Sequence, residues 1–206
     1  MSVQLLVEEI ETLLQGSKPR TMIGIVGKPG AGKSTIVTEI QKQFSTEEVA
    51  IIPMDGYHLS NEELIKLGRL ERKGAPDTFD VEGFISLITR VRNEIGKEHT
   101  FPIFHREIEA SKADEGIVLR NTKVIVIEGN YLFSEEHNWS EVFPLLDQSW
   151  FIEIDDEIRM QRLITRHIKY GKTPQEAEEW SRGSDELNAR FIEKTAARAG
   201  NIIKLA

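Results

Sequence analysis

The residues whose types and spacing could do chemistry begin with one run, Gly27-Lys28-Pro29-Gly30-Ala31-Gly32-Lys33-Ser34, which fits the pattern G-x-x-x-x-G-K-[S/T]. Gly27, Gly30 and Gly32 allow a tight turn that aims successive backbone N–H groups at phosphate oxygens, and a helix opening at the end of the run adds the positive end of its dipole. In such a cradle Lys33 is expected to bridge the β- and γ-phosphates of a nucleotide, and the Ser34 hydroxyl to ligate Mg²⁺, with Ala31 and Thr35 in the same wrap. The bland alternative is a glycine-rich strand-to-helix turn with an incidental Lys-Ser. The flanks speak against it: Met22-Ile23-Gly24-Ile25-Val26 has the composition of a buried parallel strand, and Ile36, Val37, Ile40 and Phe44 share one helical face.

Two carboxylates follow apolar runs. Val49-Ala50-Ile51-Ile52-Pro53-Met54 ends in Asp55-Gly56-Tyr57-His58, and an acid just past the C-terminal end of a strand lies where open α/β sheets collect their ligands. Asp55 is a candidate general base or magnesium partner, against the competing reading of a turn-forming Asp-Gly pair. Lys123 to Asn130 is the strongest strand pattern in the chain and ends at Glu128, where a second carboxylate reaches magnesium directly or through water beside a phosphate loop.

Cations recur in three places. Asp155-Asp156 caps a helix predicted from Glu157 to Tyr170, on which Arg159, Arg162, Arg166 and His167 share a face. Arginines closing over a transferring phosphoryl group would stabilise the charge spread over its equatorial oxygens; the alternative is pairing with Asp155, Glu157 and nearby surface acids. Arg69, Arg72 and Lys73 fall in a polar, irregular stretch over residues 59–80 and suit either an anionic substrate or a solvated surface. Arg106 sits on a predicted excursion, Thr100 to Arg106 pairing with Gly116 to Arg120 as a hairpin outside the main sheet, and reads either as surface or as overhanging the site.

The remaining elements position these groups. Val3 to Leu14 predicts a helix with Val3, Leu6, Val7, Ile10, Leu13 and Leu14 in its apolar stripe, and Asp80 is placed to cap a helix carrying Val81, Phe84, Ile85, Ile88 and Val91. Gln148 to Ile154 is a further strand, Pro174 to Ala199 a helix interrupted near Gly183, and Asn201 to Leu205 a last short strand. The alternation predicts one three-layer α/β domain over residues 1–206, with a mostly parallel sheet of about five strands, helices on both faces and a helical lid over residues 159–183.

Composition narrows the class. A net charge of -8 argues against non-specific nucleic-acid binding, which needs a basic face. The absence of cysteine excludes disulfides, thiol catalysis and thiolate metal sites. No apolar run approaches membrane-spanning length and the N-terminus lacks a signal peptide's basic region, so a cytoplasmic protein with no membrane partner is expected. A homodimer is the commonest arrangement for such a chain.

Taken together, Gly27 to Ser34, Met54 to Leu59, Lys73 to Asp80 and Ile127 to Leu132 resemble the pantothenate kinase, uridine kinase and phosphoribulokinase group of P-loop kinases, in the family's order and over roughly Met22 to Asn188. The resemblance implies the P-loop nucleoside triphosphate hydrolase fold and the use of ATP and Mg²⁺. It implies that Asp55 acts as general base toward a substrate hydroxyl, that Glu128 helps hold magnesium, and that Arg162 and Arg166 stabilise the transferring phosphate. Two departures stand out: His105 occupies a place where the family carries an Asp after the aromatic residue, and the chain is shorter than a bacterial pantothenate kinase.

The expected activity is transfer of the γ-phosphoryl group of ATP to a hydroxyl of a small metabolite, with Tyr57, His58, Arg69, Lys73, Phe79 and Arg106 as candidate acceptor-pocket residues. A nucleoside, a pantothenate-like alcohol and a sugar all fit that description. The rivals are a nucleoside triphosphatase whose acceptor is water and a regulator that binds ATP without turnover.

Overall fold

The computed structural model of the protein describes residues 3–205. Its centre is a five-stranded sheet in the order β2-β5-β1-β6-β7, built from β1 (Thr21–Gly27), β2 (Val49–Pro53), β5 (Val124–Glu128), β6 (Gln148–Glu153) and β7 (Asn201–Lys204). Every pairing in it is parallel, so the sheet is wholly rather than mostly parallel. The two innermost strands, β1 and β5, are buried at every residue, because helices and loops cover both faces. Met22 and Val26 of β1 pack with Ile125 and Ile127 on one face, while Ile23 and Ile25 pack with Val124 and Val126 on the other. Alternation of side chains along a strand divides the core into these two layers.

On the second face lie α1 (Val3–Gln15), through Leu6 and Ile10, and α2 (Lys33–Gln43), through Ile36 and Ile40. On the first lie α4 (Val81–Asn93), through Phe84, Leu87, Ile88 and Val91, and Tyr131, Phe133 and Trp139 from the segment after β5. Asp80 caps α4 as expected, its Oδ1 accepting from Gly83 N at 2.9 Å. The hairpin is also as expected: β3 (His99–His105) and β4 (Ala110–Val118) pair antiparallel in a separate two-stranded sheet.

Four segments differ from expectation. Residues 59–80 are irregular only in part: they contain a short helix, α3 (Asn61–Lys66), whose start is fixed by a Ser60–Glu63 capping box, and a single 3₁₀ turn at Leu70–Arg72. The phosphate-loop helix begins at Lys33, and α5 (Asp156–Lys169) includes Asp156 while Asp155 alone caps it. The long C-terminal helix divides into α6 (Pro174–Trp180), a π-helical turn at Ser181–Asp185 and α7 (Glu186–Glu193), followed by a 3₁₀ turn at Ala196–Arg198, so the break near Gly183 is a widening of the helix and the last turn before Ala199 is 3₁₀ and separate from the α-helix. Among the described residues no helix is long and apolar enough to cross a membrane.

Candidate active site

The C-terminal ends of β1, β2 and β5 deliver the phosphate loop, Asp55 and Glu128 to one edge of the sheet, and a cavity of about 630 Å³ opens there. Its floor is the loop. Gly30 and Gly32 hold φ angles of 81° and 96°, a left-handed conformation that glycine adopts without penalty. Gly30 is needed for space as well: a Cβ there would stand 2.9 Å from Arg159 O and 2.8 Å from Leu163 Cγ. No side chain caps α2 at Gly32; the Thr35 N–H turns back to Gly32 O at 3.0 Å, and the N–H groups of Lys33 and Ser34 are left open to an anion. Lys33 Nζ donates to Gly27 O at 2.9 Å and to Asn130 Oδ1 at 2.6 Å, so the ammonium is held over the loop. Burial lowers its pKa, against the opposing pull of the Glu128 and Asp55 charges.

Asp55 lies in a 3₁₀ turn directly after β2. Its Oδ2 accepts from Arg106 Nη2 at 2.7 Å. Burial alone would raise the carboxyl pKa, but the charges of His58, Arg106, Lys33 and Arg166 outweigh it and hold Asp55 below the usual carboxylate range. The hairpin can supply Arg106 because Gly56 lets it approach: a Cβ on Gly56 would sit 2.0 Å from Pro102 O. That close approach, rather than a turn at positive φ, is what the glycine of the Asp-Gly pair provides.

Glu128 ends β5, fully walled in, and its Oε2 has no hydrogen-bond partner among the described residues. Burial, with the Asp55 charge adding to it, pushes its carboxyl up to about 7, although Lys33 pulls the other way. Glu128 lines the same cavity as Ser34, and a carboxylate with one buried oxygen left without a partner fits a magnesium shell. No cluster of three or more His, Asp or Glu side chains suited to a metal occurs among the described residues. The donors present therefore match an ion that takes one or two protein ligands and fills its remaining positions with phosphate oxygens and water.

Helix α5 forms the opposite wall. Arg162 and Arg166 line the cavity, and neither side chain makes a hydrogen bond or ion pair among the described residues. Burial lowers the pKa of Arg166, with the Arg106 charge acting in the same direction. His167, one residue further on, bonds Asp185 Oδ2 through Nε2 at 2.7 Å, which ties α5 to the π-helical turn. Arg159, grouped with these by its spacing, points elsewhere: it is buried beneath the loop and pairs with Asp156 and Glu186.

Of the candidate acceptor residues, His58, Phe79, Lys73 and Arg106 do line the cavity. The His58 ring stacks between Phe79, at 4.2 Å between centroids, and Phe104, at 4.8 Å. Lys73 Nζ bonds Asn61 Oδ1 at 2.8 Å and Glu109 O at 3.0 Å and lies 5.2 Å above the Phe104 ring. Tyr57 and Arg69 are corrections. Tyr57 turns away from the cavity to pack edge-on against Phe84 in the core. Arg69 lies outside it and is consumed by Asp77, donating to its carbonyl at 2.8 Å, and Arg72 pairs with the same carboxylate. His105 also faces away, toward Glu115. The gripping loop residues Gly27, Ala31 and Thr35 build the turn without lining the cavity themselves.

Sequence reasoning missed Asn130, the partner of Lys33, together with Phe104, Trp180, Asp185 and Asn188 on the cavity wall. Only Asn130 had a local signal, its place just after the acid that ends a core strand. The others reach the cavity from the hairpin (Phe104), the end of α6 (Trp180), the π-helical turn (Asp185) and α7 (Asn188), which no local pattern announces.

A parallel sheet whose first strand feeds a glycine-lined anion cradle, with two strand-end acids and an arginine-bearing helix across it, is the P-loop kinase fold. The chain belongs to the phosphoribulokinase / uridine kinase family, whose profile matches residues 22–204. It is 34% identical over 185 residues to a protein of Schizosaccharomyces pombe provisionally named a uridine kinase, covering 85% of this chain and 79% of that one. It is 32% identical over 190 residues to the uncharacterised protein YggC of Escherichia coli, covering 90% and 78%. A crystal structure of a Silicibacter protein, provisionally named a fructose transport system kinase, superposes with a TM-score of 0.87 at 31% identity over 98% of both chains. The protein is thus a phosphotransferase of the kind that uses ATP, typically with Mg²⁺, on a small substrate.

Proposed function

We propose that the protein moves the γ-phosphoryl group of ATP to an alcohol hydroxyl of a small metabolite, with Asp55 as the base. The observation that carries this reading is that the cavity floored by Lys33 also holds Asp55, an ionised carboxylate at the mouth of the same strand edge, 2.7 Å from Arg106. A nucleotide-binding regulator has no use for a carboxylate kept ionised there.

Lys33 and the amides of Gly32, Lys33 and Ser34 bind the β- and γ-phosphates. Ser34 and Glu128 would hold Mg²⁺, which neutralises charge on the phosphate oxygens. Asp55 accepts the proton of the acceptor hydroxyl as the new O–P bond forms, and the bond from the γ-phosphorus to the bridging oxygen breaks to leave ADP. Arg162 and Arg166, which have no acidic partner among the described residues, stand ready to meet the charge on the transferring group.

His58, Phe79 and Phe104 present a stacked wall beside Asp55, and Lys73, Arg106 and Asn61 supply polar contacts next to it. A compact ring carrying hydroxyls, whether the planar base of a nucleoside or the C–H face of a sugar, suits that aromatic wall better than an extended pantothenate-like alcohol. The two provisional names among the relatives, uridine kinase and fructose transport system kinase, fall in those two classes.

The test is a coupled ADP-release screen with purified protein and MgATP over nucleosides, sugars, sugar phosphates and pantothenate-like alcohols. Acceleration by one class, with a phosphorylated product recovered, is expected. ADP release that no alcohol accelerates would make water the acceptor and overturn the assignment.

A further inference from the structure

Beneath the phosphate loop lies a cluster of charged side chains that none of these roles uses. Lys28, the second residue of the loop motif, is only 7% exposed and points away from the cavity. Its Nζ stands 2.7 Å from Asp156 Oδ1, in the first turn of α5, and 3.3 Å from Glu193 Oε1, at the end of α7. Arg159, 1% exposed, shares the same Asp156 oxygen through Nε at 2.8 Å, and its Nη2 pairs with Glu186 at the start of α7. Arg159 Nη1 also approaches Pro29 O at 3.5 Å. One carboxylate thus receives a cation from the phosphate loop and another from α5, and both cations continue to α7.

The backbone makes the same junction. The loop is pressed so closely on α5 that Gly30 has no room for a Cβ beside Arg159 O. Arg162 and Arg166 follow Arg159 by three and seven residues on the same rigid helix. At a rise of about 1.5 Å per residue, Arg166 stands roughly 10 Å beyond the junction, so a tilt of about 10° there would shift its backbone by roughly 2 Å. Placement of a charge-stabilising group is sensitive to displacements of that size.

We infer that Arg159 and Lys28 are positioning residues that lock α5 to the phosphate loop, so that a nucleotide seated in the loop determines where Arg162 and Arg166 stand. The inference rests on the nucleotide-binding reading above. It assigns Arg159 a role separate from that of the arginines with which it shares a helix face: Arg159 transmits, and the other two contact phosphate. A cluster with a purely structural role would stabilise the fold equally with and without nucleotide.

The difference is measurable by hydrogen exchange on the full chain, with and without saturating Mg²⁺ and a non-hydrolysable ATP analogue, with affinity followed by calorimetry. In the wild type the analogue is expected to slow exchange across residues 162–180 by about fivefold or more. Arg159→Met and Lys28→Met are each expected to bind the analogue within about threefold of wild type and to lose most of that nucleotide-dependent protection. Glu186→Gln removes a single arm of the cluster and keeps the test alive if the first variants do not fold; the same loss is expected. Folded variants that keep full protection would overturn the inference, as would a wild type that binds the analogue without protecting residues 162–180. A wild type that does not bind the analogue at all would overturn the functional reading, and this inference with it.

Discussion

Asp55 Oδ2 and Arg106 Nη2 meet at 2.7 Å although they come from different sheets, Asp55 from the turn after β2 and Arg106 from the residue following β3. The pair joins the catalytic edge of the parallel sheet to the hairpin that overhangs it. An acid in this position must be ionised to take a proton from an alcohol; partial burial works against that, and the charges of His58, Arg106, Lys33 and Arg166 outweigh it and hold the carboxyl below its ordinary pKa.

Replacing Asp55 by Asn removes the proposed base while preserving its size. Turnover is expected to fall by about 10²–10⁴-fold, with ATP affinity changed less than about threefold, because the loop and Lys33 bind the phosphates independently. Steady-state kinetics alongside calorimetric nucleotide titration reads both. Loss of nucleotide affinity in step with turnover would assign Asp55 to phosphate or metal binding instead.

Arg106→Met tests the pair from the other side. Asp55 is depressed in part by this guanidinium, so its pKa should rise when the charge is removed. The active, ionised form is lost as pH falls through that pKa, and the acid limb of the kcat/KM profile should therefore move to higher pH. An unmoved limb would show that Arg106 does not govern the protonation of the base.

Glu128 carries a stability signature in the ligand-free protein. Its carboxyl is raised from 4.5 to about 7, so between those values the folded chain holds a proton that the unfolded chain has released. Stability from this group is complete below pH 4.5 and is lost as pH rises toward 7, by about 3 kcal/mol over the window. His58, lowered by burial, acts in the opposite direction over part of the same range. The informative quantity is thus the difference between wild type and Glu128→Gln in denaturant titrations at pH 5 and pH 7.5: Gln should gain relative to wild type as pH rises.

Gly56→Ala should damage the site without touching a chemical group. A Cβ 2.0 Å from Pro102 O forces the hairpin off the Asp55 turn, at a cost of about 1–3 kcal/mol in stability. Activity should fall further than stability explains, because the displacement carries Arg106 away from Asp55. An alanine variant with wild-type melting temperature and rate would show that the hairpin does not need that approach.

Local patterns revealed those parts of the site that lie at strand ends. The loop, Asp55 and Glu128 each follow an apolar run, and in a parallel sheet the C-terminal ends of such runs converge by construction. The cap at Asp80 and the separate hairpin were legible for the same reason, since each depends on neighbours close in sequence. Neighbouring side chains were harder to place: Tyr57 and His58 are adjacent in the chain, yet one stacks in the core on Phe84 and the other faces the cavity between Phe79 and Phe104. Which of two successive residues faces a ligand is set by the bridge between His58 and Phe79, a contact spanning the whole α3 excursion.

The sequence by itself determined the parallel sheet, the phosphate cradle and the two acids at its edge, because hydrophobic period, glycine spacing and strand termini are local properties. Only the tertiary structure decided what each cation does. Helical spacing places Arg159 and Arg166 on nearly the same face, but two turns of rise put the first under the phosphate loop against Asp156 and the second over the open cavity. Arg69 is spent on Asp77 while Arg106 reaches Asp55, and nothing in either residue's neighbourhood along the chain distinguishes them. A charged side chain takes its role from the opposite charge that folding brings within reach, and that partner is usually distant in sequence.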